Sequence, residues 1–272
     1  MALSAISSLV LVGAGKMGGA MLAGWLDRGL PAAAVTLVDP ALGPEMADLV
    51  ARHGLAHATT VEGLAAPAVL VLAVKPQMMA GVLAAVAPVV GPETVVVSVA
   101  AGTTLATLGG ALGDGPIVRV MPNTPAQVGQ GMSVGVGNAA VGPEQRAVVD
   151  ALMRAVGATA WIDDEGLMDA VTAVSGSGPA YVFLLAEVLA AAGRAAGLPA
   201  DLAALLARQT VSGAGALLAA SELDPATLRR NVTSPAGTTA AALAVLMADD
   251  ALQPLMTAAV AAAAKRGREL AG

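Results

Sequence analysis

The stretch Ile6-Ser7-Ser8-Leu9-Val10-Leu11-Val12-Gly13-Ala14-Gly15-Lys16-Met17-Gly18 decides the fold of this 272-residue chain. Residues 6–12 form a short apolar, β-leaning run, and a helical pattern follows the glycines as far as Arg28. A lone GxGxxG says little in a chain with 32 glycines; between a strand and a helix it has the context of a dinucleotide-binding turn. In that reading Gly13 makes the tight turn, Gly15 lets backbone approach a pyrophosphate, and Gly18 permits close helix–strand contact.

Working outward, a second strand at residues 35–38 ends at Asp39, 21 residues after Gly18. An acidic side chain there accepts hydrogen bonds from the adenine ribose and repels a 2′-phosphate. No Arg or Lys follows until Arg52, so the sequence predicts NADH over NADPH, with a plain Asp-Pro turn as the alternative. The βα alternation continues. Strands are predicted at 68–74, 94–99 and 116–121, with a helix at 78–86. The strands end in Lys75-Pro76, Ala100-Ala101-Gly102 and Pro122-Asn123-Thr124-Pro125, where an open parallel sheet binds its ligands. Small and turn-forming residues there leave room for a flat cofactor. Lys75 is a candidate phosphate or substrate contact, a solvated loop lysine being the plain alternative.

From Asp163 onward the pattern changes to Ala/Leu-rich helices at about 164–174, 178–196, 199–220, 224–231, 237–248 and 250–269. Strand-type runs stop, so the expected fold is α/β: a Rossmann-type doubly wound sheet over 1–162, then an all-helical domain over 163–272. Ser175-Gly176-Ser177-Gly178-Pro179-Ala180-Tyr181 has the look of a phosphate loop, but no Lys follows, so a closely packed helix junction is expected. Tyr181 and Phe183 read as core residues at helical spacing.

Composition narrows the function. The absence of cysteine excludes disulfides, a thiolate nucleophile and Cys-based metal sites. His53 and His57 have the spacing of a helical metal pair, yet Gly54 is the better helix stop, so both read as surface residues and no metal is expected. A net charge of −6 without a basic stripe argues against nucleic acid. The mean hydropathy is high, but Gly and Pro interrupt the apolar segments, and no clean span of about 20 apolar residues is expected. The N-terminus lacks the basic start and cleavage site of a signal peptide. A soluble, cytoplasmic chain is therefore expected, with apolar helices buried between subunits.

In the helical half, Asn231-Val232-Thr233-Ser234-Pro235-Ala236-Gly237-Thr238-Thr239 carries hydroxyls and no charge just before an apolar run. Such a turn puts unpaired backbone N–H groups at a helix start, which suits an anion. For an isolated string, an N-cap and turn would be the plainer reading. Between residues 151 and 264 there is no lysine, histidine or cysteine. Alcohol oxidation needs a general base, and only Lys75 of the first half could serve. Reduction of a C=N bond fits better: a protonated imine is already electrophilic and needs mainly to be held and hydrogen-bonded.

These residues resemble one family. Gly13 to Gly18, Ala73-Val74-Lys75-Pro76, Val120-Met121-Pro122-Asn123-Thr124-Pro125, Ser175 to Tyr181 and Ser234 to Thr239, in this order and spacing, are similar to the pyrroline-5-carboxylate reductases over nearly the whole chain. The resemblance implies reduction of 1-pyrroline-5-carboxylate to proline with NAD(P)H, the last step of proline biosynthesis. It implies that the N–H groups of Gly237, Thr238 and Thr239 hold the substrate carboxylate and that Ser234 shapes the loop. The Thr239 hydroxyl would face the ring nitrogen as the catalytic group. Cofactor contacts are expected from Gly13, Ala14, Gly15, Lys16, Met17, Gly18, Asp39, Ala73, Val74 and Lys75. Met121 and Pro122 would line the cofactor side, with Ala100 and Ala101 near the nicotinamide.

The resemblance also implies a homodimer through the helical domain, often assembled into decamers. Three positions depart from the family: Ala236 where glycine is common, Lys16 where asparagine is usual, and Asp39 where NADPH-preferring relatives carry Ser, Arg or Asn. A methyl at Ala236 is tolerable only if that residue avoids positive φ. The rival readings are a reductase of another cyclic imine, a β-hydroxyacid-type dehydrogenase and a non-catalytic dinucleotide sensor. The dehydrogenase needs a lysine on a second-domain helix, and none occurs there before Lys265.

Overall fold

A computed structural model describes residues 1–271. One sheet is built from β1 (Leu9–Val12), β2 (Val35–Val38), β3 (Ala56–Ala58), β4 (Val69–Leu72), β5 (Val95–Ser98), β6 (Ile117–Met121), β7 (Gly131–Gly137) and β8 (Gly157–Trp161). The order is β3-β2-β1-β4-β5-β6-β7-β8, parallel throughout except for the β6/β7 pair. Helices α1 (Lys16–Asp27), α2 (Pro44–His53), α3 (Met79–Val86), α4 (Leu105–Leu112) and α5 (Pro143–Arg154) alternate with the strands. The runs Leu-Val-Leu-Val in β1 and Val-Leu-Val-Leu in β4 are buried throughout, as strands covered on both faces must be. Their neighbours run outward in opposite directions, so β1 and β4 flank the switch point where such sheets bind ligands. The expected doubly wound class is what the chain adopts.

The predicted strands all appear, trimmed at their ends, but β3, β7, β8, α4 and α5 were not expected. Glycines at 131, 135 and 137 weaken the strand pattern of β7, and packing overrides that weakness. A methyl on Gly135 would stand 3.1 Å from the Trp161 ring of β8, so the glycine makes room for the indole. Arg146 lies over that ring at 4.5 Å from its centroid.

Two compact units divide the chain. Unit 1 is Met1–Gly176 together with the chain from Ala263 onward, and unit 2 is Ser177–Ala262. The division falls beyond residue 162, where the strand pattern ends, because the segment after β8 packs on the sheet unit. Within it α6 (Met168–Val171) buries Met168, the π-helical turn Thr172–Gly176 buries Ala173, and Glu165 pairs with Arg119 of β6. The last helix, α11 (Leu252–Ala271), returns to unit 1: Ala264 is buried, and a methyl on Gly267 would meet Asp169 Oδ1 at 2.7 Å.

Unit 2 holds α7 (Gly178–Ala195), α8 (Ala200–Ala220), α9 (Pro225–Asn231), α10 (Thr238–Leu246) and the first part of α11, close to the predicted helices. Helices α7 and α8 pack closely where Gly193 meets Ala203. Among the described residues, the only buried side chains of unit 2 are Ala203 and Ala207. Phe183, expected in a core, is 68% exposed, because both large core clusters belong to unit 1. Two helical stretches, Glu165–Ala195 and Ala200–Ala220, are long and apolar enough to cross a membrane by length and composition. The expectation of no such span fails because Gly213 and Gly215 lie inside α8 without breaking it, and the Gly/Pro junction does not stop the first helix. Its π turn carries the chain through, and Pro179 sits in the first turn of α7, where a missing N–H costs nothing.

Candidate functional site

The glycine turn joins β1 to α1. Gly13 has φ +98°, and a methyl on it would stand 2.8 Å from the Ala73 carbonyl oxygen and 3.0 Å from Val74 Cγ1. Ala73 and Val74, beyond the end of β4, are therefore the wall against which the turn packs. A methyl on Gly18 would collide with the Gly13 carbonyl oxygen, so that glycine sets the approach of α1. Gly15 is different: nothing lies within 4 Å of where its Cβ would be. Helix α1 has no side-chain cap and no acidic residue in its first turn, only Lys16. The open backbone, the free N–H groups of the first turn and the lysine suit a phosphate. Met17 is half-buried beneath them and packs on the core.

Asp39 closes the turn from the side. Its Oδ2 accepts from the Ala14 N–H at 2.7 Å, its Oδ1 accepts from the Ala41 N–H at 2.9 Å, and its carbonyl lies 2.9 Å from His57 Nε2. A groove of about 1120 Å³ runs over this region, lined by Ala14, Gly15, Lys16, Asp39, Met46 and Arg52 among others. Arg52 was discounted as too distant along the chain, but α2 folds it back to the same groove. His53 and His57 do not form a helical pair: α2 ends at His53, Gly54 takes φ 62°, and His57 lies in β3.

The other expected cofactor residues stand at neighbouring strand ends. Ala100 is buried past β5, and its N–H reaches Ser98 Oγ at 3.4 Å; Ala101 is exposed. Met121 ends β6 with Pro122 buried behind it, and a methyl on Gly176 would meet Met121 Cε at 2.5 Å. Lys75 is exposed and caps a short 3-10 turn through its carbonyl, which accepts from the Met78 N–H at 2.9 Å. So the structure gathers Gly13 to Gly18, Asp39, Ala73, Val74, Lys75, Ala100, Ala101, Met121 and Pro122 at one end of one sheet.

Sequence reasoning missed two residues that organise this end. Asn123 Nδ2 donates to the Ser175 carbonyl at 3.2 Å and to Ser175 Oγ at 3.3 Å, and its Oδ1 accepts from the Met132 N–H at 2.8 Å. It ties the loop after β6 to the π turn and to β7. Arg119 is 5% exposed, and its partner Glu165 also accepts from the Leu105 N–H at 2.9 Å. An isolated Arg inside an apolar strand run was the available signal, since a buried charge needs a partner.

In unit 2, α9 begins at the cap Asp224, whose carboxyl is held below its usual range by the Thr227 hydroxyl and then by the Thr227 N–H. After Asn231 the chain turns at Ser234-Pro235-Ala236-Gly237, where the Gly237 N–H donates to the Ser234 carbonyl at 3.0 Å. Ala236 has φ 57°, the only positive value at a non-glycine residue among those described. Proline second and positive φ third is the pattern of a type II turn, which favours glycine at the position Ala236 holds. The methyl departure thus falls where it costs most.

The expected donor trio changes accordingly. Gly237 spends its N–H inside the turn, so it shapes the loop with Ser234. The free donors are the N–H groups of Thr238, Thr239 and Ala240, which have no partner among the described residues because α10 starts without a side-chain cap.

A Rossmann-type unit with an open glycine turn, followed by a helical unit, is the layout of a broad class of dinucleotide-dependent oxidoreductases. Residues 165–270 match the family described as pyrroline-5-carboxylate reductase dimerisation, and residues 8–102 match that described as NADP oxidoreductase coenzyme F420-dependent. The pyrroline-5-carboxylate reductase of Pseudomonas aeruginosa is 43% identical over 97% of this chain and 96% of its own length. Among solved structures, the Coxiella burnetii pyrroline-5-carboxylate reductase superposes with a TM-score of 0.91 at 33% identity, covering 98% of this chain and 99% of that one. The Plasmodium falciparum pyrroline carboxylate reductase with NADP bound has a TM-score of 0.82 at 29% identity and 99% coverage of both chains. The chain belongs to the pyrroline-5-carboxylate reductase family.

Proposed function

We propose that this chain reduces 1-pyrroline-5-carboxylate to L-proline with a reduced nicotinamide dinucleotide, closing proline biosynthesis in the cytoplasm. The observation that carries the reading is the 43% identity to a pyrroline-5-carboxylate reductase over 97% of the chain. The bound dinucleotide supplies the hydride that adds to the imine carbon. Unit 1 holds its phosphates on the N–H groups of the glycine turn, with Lys16 as a countercharge; the open space over Gly15 fits that use. Ala73, Val74 and Lys75 border the same turn, while Ala100, Ala101, Met121 and Pro122 shape the nicotinamide end.

Unit 2 holds the substrate. The N–H groups of Thr238, Thr239 and Ala240 bind the carboxylate, and the Thr239 hydroxyl hydrogen-bonds the ring nitrogen and orients it. No general base is needed, in keeping with a helical half that lacks lysine and histidine up to Lys265. Asp39 favours NADH through the ribose hydroxyls, and Arg52 in the same groove lets NADPH serve as the poorer cofactor. Two copies join through the apolar faces of unit 2, and such dimers can assemble further into decamers. The surface left by Phe183, Leu205, Val245 and Leu255 supports that pairing. Loss of NADH absorbance on adding pyrroline-5-carboxylate tests the activity; no turnover with either reduced cofactor would refute it.

A further inference from the structure

We infer that His57 is a positioning residue for the dinucleotide, holding the end of β2 so that Asp39 discriminates at the adenine ribose. The inference rests on the dinucleotide reading of unit 1. His57 is paired with Leu37 in the β2/β3 ladder, and its ring reaches forward to the Asp39 carbonyl at 2.9 Å. A carbonyl only accepts, so Nε2 carries the proton of that bond. The Asp39 N–H donates to the Ala58 carbonyl at 3.1 Å, and the two carboxylate oxygens take the Ala14 and Ala41 N–H groups. Every polar atom of Asp39 is thereby engaged.

The ladder alone holds this residue weakly. Strand β3 is three residues long and forms the edge of the sheet, and Pro40, next after Asp39, has no N–H to contribute. The imidazole supplies the missing hold. With Asp39 fixed, each carboxylate oxygen keeps a free lone pair for a ribose hydroxyl, while its charge opposes a 2′-phosphate. Released from His57, the carboxylate would lose both the attraction and the repulsion, so the effect is on discrimination between cofactors.

The test uses the full chain with His57→Leu, which removes the donor, and His57→Gln, whose amide can still donate. Dissociation constants for NADH and NADPH are read from nicotinamide fluorescence without substrate, alongside a circular-dichroism melt. His57→Leu is expected to weaken NADH about fivefold, the worth of one hydrogen bond, while NADPH binds as well as to the unaltered chain or more tightly. His57→Gln is expected to return NADH to within about twofold of the unaltered chain. Equal losses for both cofactors, an unchanged NADH constant, or a Gln variant no better than Leu would overturn the role. A chain that binds NADH yet never reduces the imine would defeat the proposed function while leaving this role to be judged on the binding data. Binding of neither cofactor would overturn both.

Discussion

Arg119 Nη1 donates to Glu165 Oε1 at 2.8 Å, joining the interior of β6 to the segment that leaves the sheet. The same oxygen accepts from the Leu105 N–H, so one carboxylate fixes the start of α4 as well. Glu165→Ala would leave a buried guanidinium without its countercharge, and a loss of about 2 kcal/mol is expected. Glu165→Gln keeps the acceptor and should lose less. Urea unfolding of both variants checks this; equal losses would show that the retained acceptor contributes nothing and that the charge alone matters.

Ala236 sits at φ 57° in the turn before α10. For an L-residue other than glycine, that conformation costs about 1 kcal/mol or more. Ala236→Gly should therefore raise stability by about 1 kcal/mol, measured as a higher denaturation midpoint. A lower midpoint would mean that the turn gains nothing from relief of the methyl.

Thr239→Ala removes the hydroxyl assigned to the ring nitrogen but leaves the backbone N–H in place. Turnover is expected to fall about tenfold or more, with the dinucleotide dissociation constant almost unchanged. Unchanged turnover in a stopped-flow or steady-state assay would remove the role.

Asp39→Ser removes the negative charge while keeping a small hydroxyl at the end of β2. Relative kcat/KM for NADPH over NADH should rise at least about tenfold, since Arg52 already borders the groove. An unaltered ratio in side-by-side kinetics would refute the ribose argument.

Phe183→Asp places a charge on the exposed face of α7. If that face joins two copies, the variant should shift toward monomer in sedimentation equilibrium, because an unpaired charge is costly to bury. An unaltered mass at every concentration would place the contact elsewhere.

The sequence made some of this legible for physical reasons. The runs around Val10, Leu70 and Val96 are apolar on both faces, so a buried parallel sheet was their best home, and the glycine spacing placed its ligand end. The helices of unit 2 followed from Ala/Leu periodicity, and Gly54 was read correctly as the stop of α2. What stayed hidden depends on tertiary contact. Strand β7 survives its glycines because neighbours fill the space they leave, Ala126 at Gly131, Trp161 at Gly135 and Val141 at Gly137, and Arg52 joins Asp39 in lining one groove only after α2 folds back. His57 looked idle because nothing in Ala56-His57-Ala58 reveals a neighbouring carbonyl. Phe183 was misplaced because helical spacing marks an apolar face without saying whether the chain's own core covers it.

The return of α11 to unit 1 has a consequence for biosynthesis on the ribosome. Ala264 is buried and Gly267 lies against Asp169, packing that the first 176 residues cannot make by themselves. During translation the nucleotide-binding sheet therefore emerges early yet waits, unfinished at one side, until nearly the whole helical half has been synthesised. Nascent chains arrested before Ala263 should be more easily cut by protease within unit 1 than the released protein.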